Sequence, residues 1–578
     1  MSDTQLSRPS RRDVHDIYNG MFKLTKHLLQ MRYGPRVMKN ITLSTINARY
    51  IHASLGLRYL YANMGALQPQ TRLQEFTLQQ RPEDIVEQLL SNLTSSPSHV
   101  DAVSKQPCII GFGVYIWNVV PTTEVIRLIK VIRPDITIVI GGPEVSYEID
   151  DQPICKLADF IISGAADCSF AELCQEIFDD NPPAKKISSL PIDLDSLVSP
   201  YSFYSEEDLA NRVIYVEASR GCPFKCEFCL SSLDKTAVAF DLDTFLSHMQ
   251  DLIERGAHQF KFVDRTFNLK ADTSRRILEF FLTHIDKGLF LHFELIPDRL
   301  PEILLDLLPR FPENSLQFEI GIQSFNADVQ KRISRRQQHE RTCHNLTWLR
   351  ENTHAHIHAD LIFGLPGETL ESFGQGFDLL HSLGPQEIQL GILKRLRGTP
   401  IARHTHEFDM RYMTSPPYRI LAHRDADFDT VQRMVRFARY WDLVGNSGRF
   451  PATLPVLLGQ EPFKRFLGLS DWLFSTTAQT HRIALPRWFE YLESYLVQQL
   501  GIDGACVHEC LLSDYQHNRL KGLPAFARNH NASADTPVKT SDSTVHIPGK
   551  QDTTGTSMTA ARQRRHQPAK TADSSSRA

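Results

Sequence analysis

Two runs of short apolar segments, each alternating with segments of helical length, constrain the fold of this chain most strongly. The first run lies between residues 40 and 178, and the second lies between residues 213 and 393. Apolar strands that alternate with single helices are typical of parallel sheets with helical crossovers, because a parallel connection must return across the sheet. The sequence therefore predicts two α/β domains in series.

The first run indicates an open sheet with helices on both faces. A proline-rich segment at 179–200 ends it and reads as a linker. We predict a doubly wound, flavodoxin-like domain over 38–185 and a linker over 186–212. The predicted strands are 40–47, 71–77, 108–114, 136–142 and 158–164.

The second run contains six strand and helix units, which predict a partial (βα)6 barrel over residues 213–400. Ligands of parallel sheets gather at the carboxyl ends of the strands, so loops there are candidate site loops. Alternation then fades, and helical spacing around Trp441, Trp472 and Trp488 predicts a mostly α-helical domain over 401–527. The predicted barrel strands are 213–219, 259–264, 289–295, 316–323, 356–364 and 387–393.

Composition and the two ends set limits on location and partners. Residues 1–37 are weakly patterned, with Met38 as an alternative start, and residues 528–578 are polar without aromatics, so we predict a weakly ordered extension and a disordered tail. No apolar run approaches the length of a membrane span, which favours a cytoplasmic protein. The formal net charge of -4 gives no overall footprint for nucleic acid, so a small-molecule substrate is favoured.

Three cysteines fall within eight positions directly after the first barrel strand, at Cys222, Cys226 and Cys229. Three thiolates can hold a [4Fe-4S] cluster and leave one iron open to a small chelating molecule. A zinc site is the alternative, but the next histidines, His248 and His258, lie at no familiar ligand spacing.

The remaining seven cysteines are scattered, and we expect most of them to be small buried residues. Cys506 and Cys510 flank His508, which leaves a second metal site open as an alternative. Two core thiols are the favoured interpretation at this i, i+4 spacing.

The motif GCPFKCEFC, with Phe228 before its last cysteine, resembles the radical S-adenosylmethionine (SAM) enzymes. The resemblance implies that SAM binds the open iron, that an external donor such as flavodoxin or ferredoxin reduces the cluster, and that a 5′-deoxyadenosyl radical forms. Later motifs resemble the subgroup that includes oxygen-independent coproporphyrinogen oxidase. By that resemblance the SAM contacts are Phe228, Asp264, Glu294, Gln323, Arg335, Gly364 and Pro366.

Alternatives remain for these positions. Asp264 could cap the following helix. Glu294, Gln323 and Arg335 could be polar residues of barrel loops, and a turn such as that of Gly364 and Pro366 is common after a strand.

The first domain resembles the cobalamin-binding domain of B12-binding radical SAM proteins, in the branch that carries an uncharacterised C-terminal domain. Glycines in strand-to-helix turns of an ordinary flavodoxin-like sheet are the alternative. The D-x-H-x-x-G motif is missing, so we expect cobalamin without a histidine on cobalt. By the resemblance the cobalamin contacts are Asn47, His52, Gly111, Tyr115, Gly141, Gly142, Pro143 and Glu144.

These resemblances imply a radical SAM enzyme that uses cobalamin to methylate an unactivated carbon of an unknown substrate. Radical rearrangement or oxidation without methyl transfer is one alternative, and a non-catalytic cobalamin or iron-sulfur sensor is another. The linker is long enough for the carboxyl edges of the two sheets to face each other across the substrate.

Overall fold

The computed structural model describes residues 40–91, 93, 107–189, 192–522 and 524. The predicted extension 1–37 and tail 528–578 therefore lie outside the described residues. Within the described residues, no helix is long and apolar enough to cross a membrane.

The first sheet has six parallel strands in the order β2-β1-β3-β4-β5-β6. Strand β1 is buried along its whole length because helices cover both faces of the sheet. The doubly wound prediction is confirmed. The elements are β1 Ile41–Asn47, α1 Leu55–Ala62, β2 Thr71–Thr77, α2 Pro82–Ser91, β3 Ile109–Gly113, α3 Val119–Ile132, β4 Thr137–Gly141, α4 Pro153–Leu157, β5 Phe160–Ser163, α5 Ser169–Phe178 and β6 Lys186–Ser188.

Strand β6 is one that the sequence pattern missed. It pairs with β5 in parallel, so the first sheet continues past residue 185 into the predicted linker. Its three residues are exposed or half-buried, which leaves no apolar alternation to detect.

The second sheet also has six parallel strands, in the order β14-β13-β12-β11-β10-β7. This order places consecutive strands side by side, as in an open barrel, and confirms the predicted (βα)6 architecture. The elements are α6 Glu206–Asn211, β7 Ile214–Val216, β8 Ser219–Arg220, β9 Val238–Ala239, α7 Leu242–Glu254, β10 Gln259–Phe262, α8 Ala271–Leu282, β11 Phe290–Leu295, α9 Glu302–Leu305, β12 Leu316–Gln323, α10 Ala327–Arg332, α11 His339–Asn352, β13 His356–Phe363, α12 Leu370–Ser382 and β14 Glu387–Ile392.

The C-terminal region is mostly helical, as predicted, and it shares one hydrophobic core with the barrel. The ring of Trp441 packs edge-on against Phe377 of a barrel helix, with ring centroids 4.9 Å apart. This region is therefore a wall of the barrel rather than a separate core. Its elements are β15 Arg411–Tyr412, β16 Ile420–Ala422, α13 Phe428–Val444, α14 Thr453–Leu458, α15 Pro462–Thr477, α16 Leu485–Ser494, a π-helical turn Tyr495–Gln499 and α17 Gly504–His517.

The carboxyl edges of the two sheets face each other through ion pairs. Glu148, in the loop after β4, lies 3.1 Å from Arg397, in the segment after β14. Asp167, after β5, lies 3.0 Å from Arg220, at the start of the cysteine loop. The two edges at which parallel sheets bind ligands are therefore neighbours, as the sequence predicts.

The predicted linker is packed rather than extended. Tyr201, Tyr204 and Leu209 belong to the barrel core. Arg58 of the first domain is buried between Glu75 at 2.8 Å and Asp208 of the linker at 2.7 Å. A buried ion pair with two partners fixes orientation, since separating it would leave charges without counterions.

Candidate functional site

The cysteine loop begins at the end of β7 and is held in shape by a glycine. Gly221 has φ +87°, and a Cβ at this position would overlap the carbonyl oxygen of Thr236. The N–H of Cys222 donates to the carbonyl of Asp234 at 3.1 Å, which closes the loop back on itself. Only glycine fits this turn without displacing the chain that carries the three cysteines.

A pocket of about 220 Å³ brings Cys222, Cys226 and Cys229 together at the mouth of the barrel. Burial raises the pKa of the Cys222 thiol, and the neighbouring thiols add to the effect. The three cysteines therefore line one space, as the ligands of a single cluster must. Within the part of the chain described, no group of three or more Cys, His, Asp or Glu side chains is placed so that it could hold a metal ion.

Four of the residues predicted to contact SAM line this same pocket, and they are Phe228, Glu294, Gln323 and Arg335. The guanidinium of Arg335 donates to the sulfur of Cys226 at 3.3 Å and to the carbonyl of Gly321. Two buried atoms here, Oε1 of Gln323 and Nε of Arg335, have no hydrogen-bond partner in the described structure. Buried polar atoms without partners indicate a polar ligand.

Charged side chains fill the lumen behind the pocket. Glu319 lies 3.3 Å from Nζ of Lys261 and 3.1 Å from Nε2 of His292. Burial raises the pKa of Glu319, but these two contacts outweigh burial and the net shift is downward. Burial raises the pKa of Asp360 well above its usual range, with Glu319 adding to the effect. Glu319 thus contacts both a lysine and a histidine in the lumen.

Arg265 is a pocket residue that sequence reasoning missed, as are Glu319 and Asp360. Arg265 lies 2.8 Å from Glu294. A signal was present for the two acids, because QFE and HAD place polar residues at every second position of otherwise apolar strands. No signal marked Arg265, which follows a strand in a loop.

Asp264, also predicted to contact SAM, does not line the cysteine pocket. Its carboxylate accepts from the N–H of Ala218 at 3.0 Å and from the hydroxyl of Ser219 at 2.6 Å. Burial raises its pKa to about 7. It also caps no helix, since α8 starts at Ala271. Asp264 therefore supports the start of the cysteine loop from behind.

Gly364 and Pro366 also lie outside the pocket lining. A Cβ on Gly364, whose φ is +91°, would contact Ile420 of the C-terminal region. The carbonyl of Pro366 accepts from Arg332 at 3.4 Å. This turn joins the barrel to the C-terminal region, and its two residues are not grouped with the cysteines.

The seven other cysteines are mostly not buried, contrary to the prediction from the sequence. Of the seven, only Cys155 and Cys174 are buried, so most are not core residues. Cys506 is exposed and Cys510 is half-buried, because the face of α17 that carries them points away from the core.

A second pocket, of about 190 Å³, lies at the carboxyl edge of the first sheet. Four predicted cobalamin contacts line it, namely Gly111, Tyr115, Gly141 and Gly142. Gly142 has φ +109°, and a Cβ there would lie 2.6 Å from the carbonyl oxygen of Val114. Only glycine lets the chain after β4 approach the chain after β3 this closely.

The other four predicted cobalamin contacts do not line this pocket. Asn47 donates to the carbonyl of His52 at 2.8 Å, and Nδ1 of His52 lies 2.8 Å from the hydroxyl of Tyr215 in β7. Pro143 begins a short turn, and Glu144 is buried between Tyr418 and Arg397. His52 and Glu144 connect the two sheets, because their partners belong to the second sheet and to the segment after it.

Arg220 links the first domain to the segment that carries the three cysteines. It lines the pocket of the first domain and stands two residues before Cys222. Its guanidinium contacts Asp167 at 3.0 Å and Glu217 at 2.8 Å, and it lies over the ring of Tyr59 at 4.4 Å. The cysteine loop and the first domain are thus tied by one side chain.

Comparisons with known proteins agree with this geometry. Residues 216–380 match the radical SAM superfamily, and residues 406–551 match the family described as a protein of unknown function (DUF4080). The chain is 24% identical over 324 residues to 2-(S-pantetheinyl)-carbapenam-3-carboxylate methyltransferase of Streptantibioticus cattleyicolor, which is 49% of this chain and 46% of that protein. The chain thus spans about half the length of this relative.

Two solved structures share the fold. The cobalamin-dependent SAM radical enzyme OxsB with aqua-cobalamin bound has a TM-score of 0.54 at 12% identity, over 86% of this chain and 81% of OxsB. The radical SAM methyltransferase TsrM of Kitasatospora setae, with tryptophan and a SAM analogue bound, has a TM-score of 0.50 at 14% identity, over 65% of this chain and 79% of TsrM.

Residues 216–380 match the radical SAM superfamily, and the cysteine pocket lies in the barrel that they form; a [4Fe-4S] cluster and SAM are the cofactors that such a domain implies. The chain thus joins a flavodoxin-like domain, a radical SAM barrel and a mostly helical region that matches DUF4080, and its fold is similar to that of OxsB.

Proposed function

We propose that this protein is a cytoplasmic, cobalamin-dependent radical SAM methyltransferase that methylates an unactivated carbon of a small molecule. The observation that carries the proposal is a pocket lined by the three cysteines and another lined by the glycines of the first sheet, in two sheets whose carboxyl edges are joined by ion pairs. The likeness to OxsB, which holds aqua-cobalamin, supports the use of the second pocket for that cofactor.

The residues of the cysteine pocket suit the cluster and SAM. Cys222, Cys226 and Cys229 would hold the cluster, which supplies the electron that cleaves SAM to methionine and a 5′-deoxyadenosyl radical. Arg335 offers a cation to a carboxylate, and Glu294 offers a carboxylate to an amino group. Both groups are fixed before a ligand arrives, Glu294 by Arg265 and Arg335 by Gly321.

The residues of the second pocket suit part of a cobalamin. Its volume of about 190 Å³ is too small for a whole corrinoid, so the rest of the cofactor would lie along the facing strand edges. Gly111 and Gly113 line the pocket, and the absence of a side chain at Gly111 makes room for the ring of Phe170, which a Cβ there would overlap. Bound there, cobalamin would supply the carrier for a methyl group.

The proposed reaction predicts two products from SAM. Reduced protein supplied with SAM and an electron donor such as flavodoxin or ferredoxin should form 5′-deoxyadenosine slowly, and faster with the true substrate. S-adenosylhomocysteine should appear in step with the methylated product, since each turnover consumes a second SAM to restore the methyl group. Quantitative chromatography of both nucleosides makes the measurement.

The product pattern separates the alternatives. Deoxyadenosine without S-adenosylhomocysteine in the presence of the substrate would favour rearrangement or oxidation. Neither product under reducing conditions would favour a sensor. Deuterium carried from the substrate into deoxyadenosine would identify the carbon from which hydrogen is removed.

Cobalamin should bind without a protein histidine on cobalt. The one predicted histidine, His52, points its Nδ1 at Tyr215 and does not line the pocket of the first domain. Paramagnetic resonance of the Co(II) state should therefore show no nitrogen splitting from protein, and His52→Ala should leave the spectrum unchanged. Splitting that disappears in His52→Ala would contradict this arrangement.

A further inference from the structure

A larger cavity opens beside the cysteine pocket, between β14 and the C-terminal helices. Its volume is about 850 Å³, within the range of small-molecule sites. It shares the walls formed by Phe228, Gln323 and Asp360 with the cysteine pocket. Helix α13 supplies Val435 on the opposite side. A molecule in this cavity would reach the mouth where the three cysteines meet.

The wall of this cavity is cationic. Lys394, Arg419 and Arg439 line it, and Asp360 is the carboxyl group among its described lining residues. Arg439 is partly compensated by Asp442, 3.8 Å away. The remaining lining includes apolar side chains of the strand edge, such as Leu390. The cavity thus combines an apolar floor with cations at one side.

Lys394 and Arg419 are held directly opposite each other by an antiparallel bridge. The backbone bonds on either side join Ile420 to Leu393 at 2.9 Å and Arg395 to the carbonyl of Tyr418 at 3.0 Å. Opposite residues between such bonds carry their side chains on one face, about 4.5–5.5 Å apart at Cβ.

Two like charges in this position repel each other and destabilise the pair. Burial lowers the pKa of Lys394, and the charge of Arg419 lowers it further. Across the described residues, no carboxylate forms an ion pair or hydrogen bond with Lys394 or Arg419. A protein that keeps two cations together without a counterion of its own is suited to a ligand that brings one.

We infer that this cavity is the substrate site, and that Lys394 and Arg419 bind an anionic group of the substrate, a carboxylate or a phosphate. The apolar part of the substrate lies along Leu390 and Val435 and directs its reacting carbon toward Phe228. The inference rests on the proposed function, because it names the substrate class of that same site. It also assigns a role to the C-terminal region, which closes the cavity.

Anion binding tests this inference without any turnover. Full-length protein, reconstituted anaerobically but without SAM, is titrated with inorganic pyrophosphate or with succinate at constant ionic strength, and the thermal unfolding midpoint is followed. We expect a saturable rise in the unfolding midpoint with at least one of the two probes. Lys394→Gln and Arg419→Gln should each weaken that binding by about tenfold or more.

The matched control is Lys287→Gln. Lys287 is exposed and lies just before β11, at the amino edge of the second sheet. Because the cavity is at the other edge, the loss of Lys287 should leave anion binding unchanged. Lys394→Gln should also raise the unfolding midpoint of the unliganded protein, because it removes the like-charge contact. If pyrophosphate alone raises the midpoint of the wild-type protein, the substrate carries a phosphate. If succinate alone raises it, the substrate carries a carboxylate.

Two outcomes would overturn the inference. One is the absence of a saturable shift with either probe, and the other is a shift that survives in both variants. Because SAM is omitted, these results do not depend on radical chemistry. Protein that binds the anion through Lys394 and Arg419 but yields no deoxyadenosine would support the anion site and count against the proposed function.

Discussion

Replacing any one of Cys222, Cys226 and Cys229 with alanine is expected to abolish the iron-sulfur cluster and the cleavage of SAM. In the proposed site each cysteine would provide one of three protein ligands, so the loss of one would leave two irons without a thiolate. Anaerobically reconstituted wild-type protein should contain about four irons per chain and show sulfur-to-iron charge-transfer absorbance. In each variant the iron content, the absorbance and deoxyadenosine formation should fall to background.

Cys506→Ala and Cys510→Ala are the matched controls for these variants. Both lie on α17, outside the pocket lining, and Cys506 is exposed. Each should keep full iron content and activity. Tightly bound zinc in place of iron in the wild-type protein would refute the assignment of the loop. Iron content that fell equally in the α17 variants would show that reconstitution, not ligation, was being measured.

The second large effect is expected from Arg220→Met. This change leaves Asp167 and Glu217, both of them buried, without their shared cation. An unpaired buried charge costs about 3–5 kcal/mol of folding free energy. Arg220→Lys should lose less folding free energy than Arg220→Met, because lysine keeps the positive charge. It should still be less stable than the wild type, because lysine cannot make the same paired contacts. Denaturant unfolding of the three proteins makes the comparison.

The effect of Arg220→Met should also depend on pH. Burial raises the pKa of Glu217, and Arg220 opposes that rise, so the pKa will be higher in the variant. A carboxyl group whose folded pKa is raised loses stability as pH increases through that pKa. The difference between wild type and variant should therefore be larger at pH 8 than at pH 5. Glu217→Gln in the variant background should restore part of the stability.

Arg81→Met provides the control for charge removal at the surface. Arg81 pairs with Asp84 on an exposed turn of the first domain, where water screens both groups. The free energy of unfolding of Arg81→Met should match that of the wild type at both pH 5 and pH 8. A loss in Arg220→Met no greater than in Arg81→Met would contradict the role given to Arg220.

Cobalamin and cluster content in Arg220→Met bear on how the two pockets are coupled. Arg220 lines one pocket and begins the loop of the other, so both contents should fall together at temperatures where the chain is still folded. A variant that lost one and kept the other would show that Arg220 serves a single pocket.

Local pattern was sufficient for the architecture of both sheets. The strands of the barrel were predicted nearly to their ends, because apolar residues at every second position must face the helices whatever the neighbouring strand is. The (βα)6 order followed, since consecutive strands joined by one helix pair side by side. Strand β6 escaped because its three residues carry no apolar alternation.

The site was only partly accessible from the sequence. Glu294, Gln323 and Arg335 line the cysteine pocket as predicted from motifs, but Asp264 lies behind it. Glu294 and Gln323 lie near the carboxyl ends of β11 and β12, and Asp264 lies two residues after β10, so these residues look alike in sequence. Which of them reaches the pocket depends on where the loop turns, and that is decided by contacts with residues far along the chain.

The sequence by itself determined the cysteine triplet, the two α/β series and the helical end, since each depends on residues close together in the chain. Tertiary structure alone decided that Arg220 pairs with Asp167, that His52 faces Tyr215, and that Lys394 stands opposite Arg419. These pairings join segments that are close in space and apart in sequence. No local pattern encodes them, because the free energy that selects them comes from packing the two sheets and the C-terminal helices against one another.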